Sequence, residues 1–129
     1  MTKSKVKAKV LKSSKIMEAW TEAVKVRAGY RCEYCGRRKP YILNAHHIFG
    51  RRHNAVKYDL DNGICLCYNC HNEAHNNPEF IKWIINYIGK DRYDRIKQKH
   101  DQVKKWTEIE KREVYQNLKD LIKGVHIAE

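Results

Sequence analysis

Four of the five cysteines form two C-x-x-C pairs, Cys32/Cys35 and Cys67/Cys70, and four of the seven histidines keep them company: His46 and His47 side by side, His71 and His75 four apart. Each cysteine pair can present two thiolates from one side of a tight turn, and the two pairs together complete the tetrahedral sulfur set of a closed zinc site. Such a site leaves no open position, so its zinc contributes folding free energy and no chemistry. A thioredoxin-type redox reading of either pair would need a βαβ context that this sequence lacks. Cys65 is left over and reads as a small core residue.

The histidines offer what a closed sulfur site does not. Residues four apart share one face of a helix, so His71 and His75 can grip one ion together, with His46 arriving from a strand. Three imidazoles leave room for water and substrate oxygens. They favour Mn, Co, Ni or Zn by affinity, with Mg or Mn brought in by availability. His47 follows His46 on extended chain and must point to the other side. A neutral imidazole there can take a proton from water and generate a nucleophile. The three histidines could instead hold a second structural zinc, but that reading gives His47 no role. His53, His100 and His126 read as packing or surface residues.

Positioning these groups takes two strands and a helix. "YILNAHHIF" and "NGICLC" are rich in β-formers and read as strands on either side of the polar loop "GRRHNAVKYDLDN", with Asn62-Gly63 as a turn signal. "CHNEAH" reads as a short helix. Ahead of the first knuckle, Ser13 or Ser14 can cap a helix with Ile16, Ala19, Trp20, Ala23 and Val24 as its apolar face and Gly29 at its end. Behind the second, Asn77-Pro78 starts a helix carrying Phe80, Ile81, Ile84, Ile85 and Ile88 up to Gly89. Another helix starts near Asp91. The last starts at Thr107, with Glu110 completing a capping box, and presents Val114, Leu118, Leu121 and Val125 as a packing face or a dimer seam.

The whole chain narrows the function classes. Its 129 residues allow one modest domain with extensions: a basic arm over residues 1–13, with Lys3, Lys5, Lys7, Lys9 and Lys12; a core with its leading helix over 14–78; and a helical extension over 79–129. The formal charge of +12 is lopsided: residues 1–58 hold 15 Lys and Arg against 3 acids, residues 59–129 hold 12 against 12. That excess suits a polyanion, and inside a cell the commonest polyanion is nucleic acid. Arg31, Arg37, Arg38 and Lys39 around the first knuckle read as phosphate contacts. Arg51 and Arg52 in the loop can hold a phosphodiester and spread transition-state charge. No stretch approaches a membrane span and the start lacks an apolar leader region, so the expected setting is soluble and cytoplasmic, with reduced cysteines.

From Tyr30 to Pro78 the chain resembles an HNH endonuclease of the ββα-metal class, through "RAGYRCEYCG", "AHHI", "DNGICLCYNCH" and His75. The resemblance implies an α+β fold with a ββα-metal core, a four-cysteine zinc site, and flanking N- and C-terminal helices. His47, Asn62 and His71 take the three motif positions. His47 is then the general base, His46, His71 and His75 hold the catalytic ion, and Asn62 bridges the backbone of the long loop. Where many members have Asp, this sequence has His46, which makes the site similar to the all-histidine type of the colicin DNases. The implied activity is hydrolysis of DNA to 5′ phosphate and 3′ hydroxyl ends. One such centre cuts one strand, so a monomer nicks and a duplex break takes a homodimer or two visits. By analogy with the family's range, the type is a phage or mobile-element nickase working in the host cytoplasm. The competing class is a non-catalytic, zinc-stabilised nucleic-acid-binding module.

Overall fold

The computed structural model describes residues 10–128, with side chains to residue 124. Lys3, Lys5, Lys7 and Lys9 of the expected arm, and the side chains of Val125 and His126, lie outside the described residues. Among the described residues, five α-helices surround a two-stranded sheet: α1 (Ser13–Arg27), β1 (Leu43–His47), β2 (Gly63–Cys67), α2 (Tyr68–Asn76), α3 (Pro78–Ile88), α4 (Lys90–His100) and α5 (Glu108–Ala128), with 3-10 turns at Pro40–Ile42 and Leu60–Asn62. The fold is mixed α and β, as the sequence implied.

Helix α1 buries Ile16, Ala19, Trp20, Ala23, Val24 and Val26, the expected face plus one valine. Each large apolar side chain fully buried there contributes roughly 1.5–3 kcal/mol. Its start differs from the expectation: Lys12 is the N-cap, without a side-chain cap, and Ser13 is already helical. The Leu11 N–H instead donates to Glu108 at 2.8 Å, fixing the chain's entry against the start of α5. At the other end Gly29 sits at φ +70° and Tyr30 at φ +54°, and the Tyr30 N–H closes back onto Lys25. This left-handed pair turns the chain sharply into the first knuckle.

The strands pair antiparallel with Leu43 opposite Cys67, His46 opposite Ile64 and His47 opposite Gly63. α1 packs across them, α2 follows β2 without a break, and α5 lies along α1. Local signals set the later helices. Asn77 caps α3 by accepting from the Glu79 N–H, with Pro78 at the first helical position. Thr107 and Glu110 exchange reciprocal bonds of 3.1 Å at the head of α5. Leu118 of α5 is buried in the same core as Trp20, Ile64 and Phe80, with Val114 and Leu121 packed on its edge. The stripe on α5 is therefore used within the chain.

Candidate active site

The four sulfurs converge from three places. Cys32 and Cys35 come from a turn in which the Gly36 N–H donates to the Cys32 carbonyl at 2.9 Å and the Cys35 N–H to Cys32 Sγ at 3.4 Å. Gly36, at φ +83°, lets that turn close. Cys67 ends β2 and Cys70 lies in the first turn of α2. All four Sγ atoms lie within 4.8 Å of one another, positioned for one metal ion. Glu33 stitches the halves together: its N–H donates to the Cys65 carbonyl, and its carboxylate accepts from the Cys65 N–H, both at 2.8 Å. Cys65 itself is fully buried, and burial above all pushes its thiol up to about 12. That makes it an inert core residue, as its odd number predicted.

Strand alternation separates the two adjacent histidines. His46 faces α2, where His71 and His75 stand one helical turn apart, and one ring nitrogen of each lies within 4.8 Å of the others. The His46 ring is 5.0 Å from that of His71 and 5.1 Å from that of His75. His46 is 6% exposed, and burial, with the neighbouring imidazoles, lowers its pKa to about 3. It is thus a neutral imidazole with lone pair free. Its Nδ1 is the one buried side-chain nitrogen or oxygen without a protein partner among the described residues. Leaving such an atom unsatisfied costs about 1–3 kcal/mol, which fits a nitrogen set aside for an ion. The donor set of three imidazoles with His75 exposed suits a divalent metal with solvent access.

His47 is held by two contacts. Its ring stacks on Trp20 of α1 with centroids 3.9 Å apart and planes 10° from parallel, and its Nε2 lies 3.0 Å from the Lys57 carbonyl. A carbonyl only accepts, so Nε2 carries the proton and Nδ1 carries the lone pair. Burial is the main cause lowering its pKa, with the Arg51 and His71 charges adding, against the Lys57 carbonyl. An open cleft of about 390 Å³ brings together His46, His47, His71, His75, Trp20 and Arg51.

Asn62 is fully buried and spans the loop. Its Oδ1 accepts from the Phe49 N–H at 2.8 Å, while Nδ2 donates to the carbonyls of Phe49 at 2.9 Å and Val56 at 3.2 Å. The loop residue next to Val56 is Lys57, so the same amide governs the carbonyl that orients His47. The turn reading of Asn62-Gly63 takes another form: Asn62 closes a 3-10 turn that leads directly into β2.

The arginines separate. Arg51 lines the cleft, and Arg52 is exposed in the same turn without lining it. Arg37 and Arg38 line a different groove beside the cysteines, and Arg31 lines neither that groove nor the cleft. His53 and His100 pack, as expected: His53 Nδ1 meets the His100 carbonyl at 3.1 Å and the His100 ring stacks on Phe49 at 4.4 Å.

Several positioning residues gave no motif signal. Trp20 Nε1–H donates to the Asp59 carbonyl at 2.9 Å. Arg27 donates to the carbonyls of Leu60 and Gly63, and Arg92 to those of Asp61 at 2.9 Å and Gly63 at 2.7 Å. The backbone on both sides of Asn62 is therefore clamped. Gly63 permits the Trp20 pose, since a Cβ there would lie 2.5 Å from Val24 Cγ2 and 2.6 Å from Trp20 Cζ2.

Residues 32–77 match the family model described as HNH endonuclease, which supports a nuclease or nucleic-acid-related function for that segment. No curated protein and no solved structure matches the chain significantly. Among the described residues no helix is long and apolar enough to cross a membrane.

Proposed function

From the HNH endonuclease domain at residues 32–77, we propose that this protein is a metal-dependent endonuclease that hydrolyses DNA phosphodiesters, nicking one strand per encounter, with His47 as general base. The observation that carries the reading is the state of His47. Nε2 is tied to the Lys57 carbonyl and the ring plane is fixed by Trp20, so the one nitrogen left to accept a proton is Nδ1, at a cleft shared with three convergent imidazoles.

The roles of the chain's own groups follow. His47 Nδ1 accepts a proton from the attacking water, and the imidazolium that forms is stabilised by its bond to the Lys57 carbonyl. Arg51, on the same cleft, grips the phosphate and offsets charge developing on its oxygens. Asn62 holds the loop so that the Lys57 carbonyl stays in place. His46, His71 and His75 would hold the catalytic divalent ion, drawn from Mg, Mn, Ni, Co or Zn. When bound, that ion supplies Lewis-acid stabilisation of the phosphoryl oxygens and the leaving 3′ oxygen. Cys32, Cys35, Cys67 and Cys70 would hold a structural zinc that keeps β2, α2 and the first knuckle in register. The basic first half, with Arg31, Arg37, Arg38 and Arg52, draws the DNA in. A phage or mobile-element nickase in the host cytoplasm is the biological setting of this reading.

The test is incubation of supercoiled plasmid with zinc-loaded protein and a panel of divalent ions. The proposal expects open-circular product that disappears in His46→Ala and His75→Ala. A protein that binds plasmid yet yields no open circles with any ion would be a zinc-stabilised binding module.

A further inference from the structure

Outside the cleft, the surface holds a groove of about 370 Å³ beside the cysteine cluster, lined chiefly by Arg37, Arg38, Lys39, Tyr41, Tyr68 and Asn69. No acidic residue lines it. Tyr41 is 81% exposed and Tyr68 is 63% exposed. Other exposed aromatics have ring partners: Tyr34 packs against Phe80 and Trp83, and Tyr87 stacks on Trp83 and donates to Glu33. Among the described residues, Tyr41 and Tyr68 make no ring contact, so two large faces stand open to water beside three cations. Arg37 lies 3.9 Å from Cys67 Sγ and Arg38 donates to the Gly29 carbonyl at 3.3 Å. A guanidinium has five donors, so each keeps N–H groups for phosphate.

The groove belongs to the same ββα unit as the cleft. Tyr68 opens α2, the helix that carries His71 and His75 one and two turns further on, about 4.5 and 10 Å along the axis at 1.5 Å per residue. Tyr41 lies in the 3-10 turn that leads into β1 and His46. That axial offset along α2 matches about three stacked nucleotide steps at 3.4 Å each. Duplex DNA shows proteins its base edges and phosphates, whereas the faces of its bases are covered by stacking. Open tyrosine faces beside a cationic track are complementary to unpaired bases.

We propose that this groove binds unpaired nucleotides of the DNA strand next to the cut, with bases stacked on Tyr41 and Tyr68 and phosphates held by Arg38 and Lys39. The inference rests on the nuclease reading for the placing of the cut, and it deepens that reading: the preferred substrate carries a single-stranded stretch beside the scissile bond, as at a fork, flap or bubble.

The experiment is fluorescence-anisotropy titration of the full zinc-loaded chain, without catalytic ion, against a labelled oligo-dT and a duplex of equal length at physiological salt. Native protein, the Tyr41→Ala/Tyr68→Ala double variant and the Tyr41→Phe/Tyr68→Phe double variant are compared. The alanine pair should weaken oligo-dT binding at least about 30-fold, from the worth of two bases each stacked on an aromatic ring, and change duplex binding less than about 2-fold. The phenylalanine pair should bind oligo-dT like the native chain. Unchanged oligo-dT affinity in the alanine pair, equal loss on both DNAs, or no rescue by phenylalanine overturns the proposal. Zinc content confirms that the variants fold. Because no cleavage is read, failure of the groove leaves the nicking assay untouched, and failure of nicking leaves the binding contrast standing.

Discussion

Replacing Asn62 by Asp changes one atom and tests the loop clamp. The carboxylate can still accept from the Phe49 N–H, but it cannot donate to the Phe49 and Val56 carbonyls, which Nδ2 serves at 2.9 and 3.2 Å. The Phe49 carbonyl loses its donor, at about 1–3 kcal/mol out of a total stability of roughly 5–15 kcal/mol, while the Val56 carbonyl keeps the Asp59 N–H at 3.1 Å. Burial beside two carbonyl oxygens also raises the new carboxyl's pKa above its unfolded value. A group shifted that way adds stability that is full below the unfolded pKa and is lost as pH rises through the folded one. The deficit of Asn62→Asp against the native protein should therefore grow from mildly acidic to mildly alkaline buffer. Urea denaturation of zinc-loaded protein, followed by tryptophan fluorescence, measures it. Cleavage should fall further than stability, because the loop that shifts carries the Lys57 carbonyl on His47. A deficit below about 0.5 kcal/mol, the level of an ordinary surface substitution, and independent of pH, would refute the clamp.

Gly63→Ala should overpack the seam between β2 and α1, costing about 1–3 kcal/mol, and should slow nicking beyond what the lost stability explains, since the ring displaced is the one stacked on His47. Melting temperature and nicking rate, measured on the same preparation, check this. Removing the structural zinc with a strong chelator, or substituting Cys70→Ser, should unfold the ββα unit, because β2, α2 and the first knuckle meet at those sulfurs; circular dichroism before and after zinc is restored reads the effect. His71→Ala should keep that zinc and lose the second metal equivalent in a direct metal assay.

Much of this architecture could be read locally. The cysteine pairs, the strands at Leu43–His47 and Gly63–Cys67, and the caps at Asn77 and Thr107 depend on residue type and short spacing, and the structure has them in place. The convergence of His46 with His71 and His75 followed from a helical repeat and a strand. What stayed hidden acts over long separations through backbone acceptors. Arg27 reaches carbonyls 33 and 36 residues away, and a carbonyl leaves no mark on residue type. Trp20 read as one more apolar residue of a packing face, although its indole N–H and its ring set the loop and His47. Gly63 read as part of a turn, whereas what it provides is the absence of a Cβ under Trp20. The start of α1 was misplaced because Ser13 suits a cap chemically, while the first turn is anchored from outside by Glu108.

The most direct measurement is single-turnover cleavage of an end-labelled duplex by native protein and by His47→Ala, each with its metal content and DNA affinity determined. A general base contributes about 10²- to 10⁴-fold. The account predicts a rate loss in that range with both metal sites filled and DNA affinity unchanged. A variant that cuts within tenfold of the native rate would contradict it.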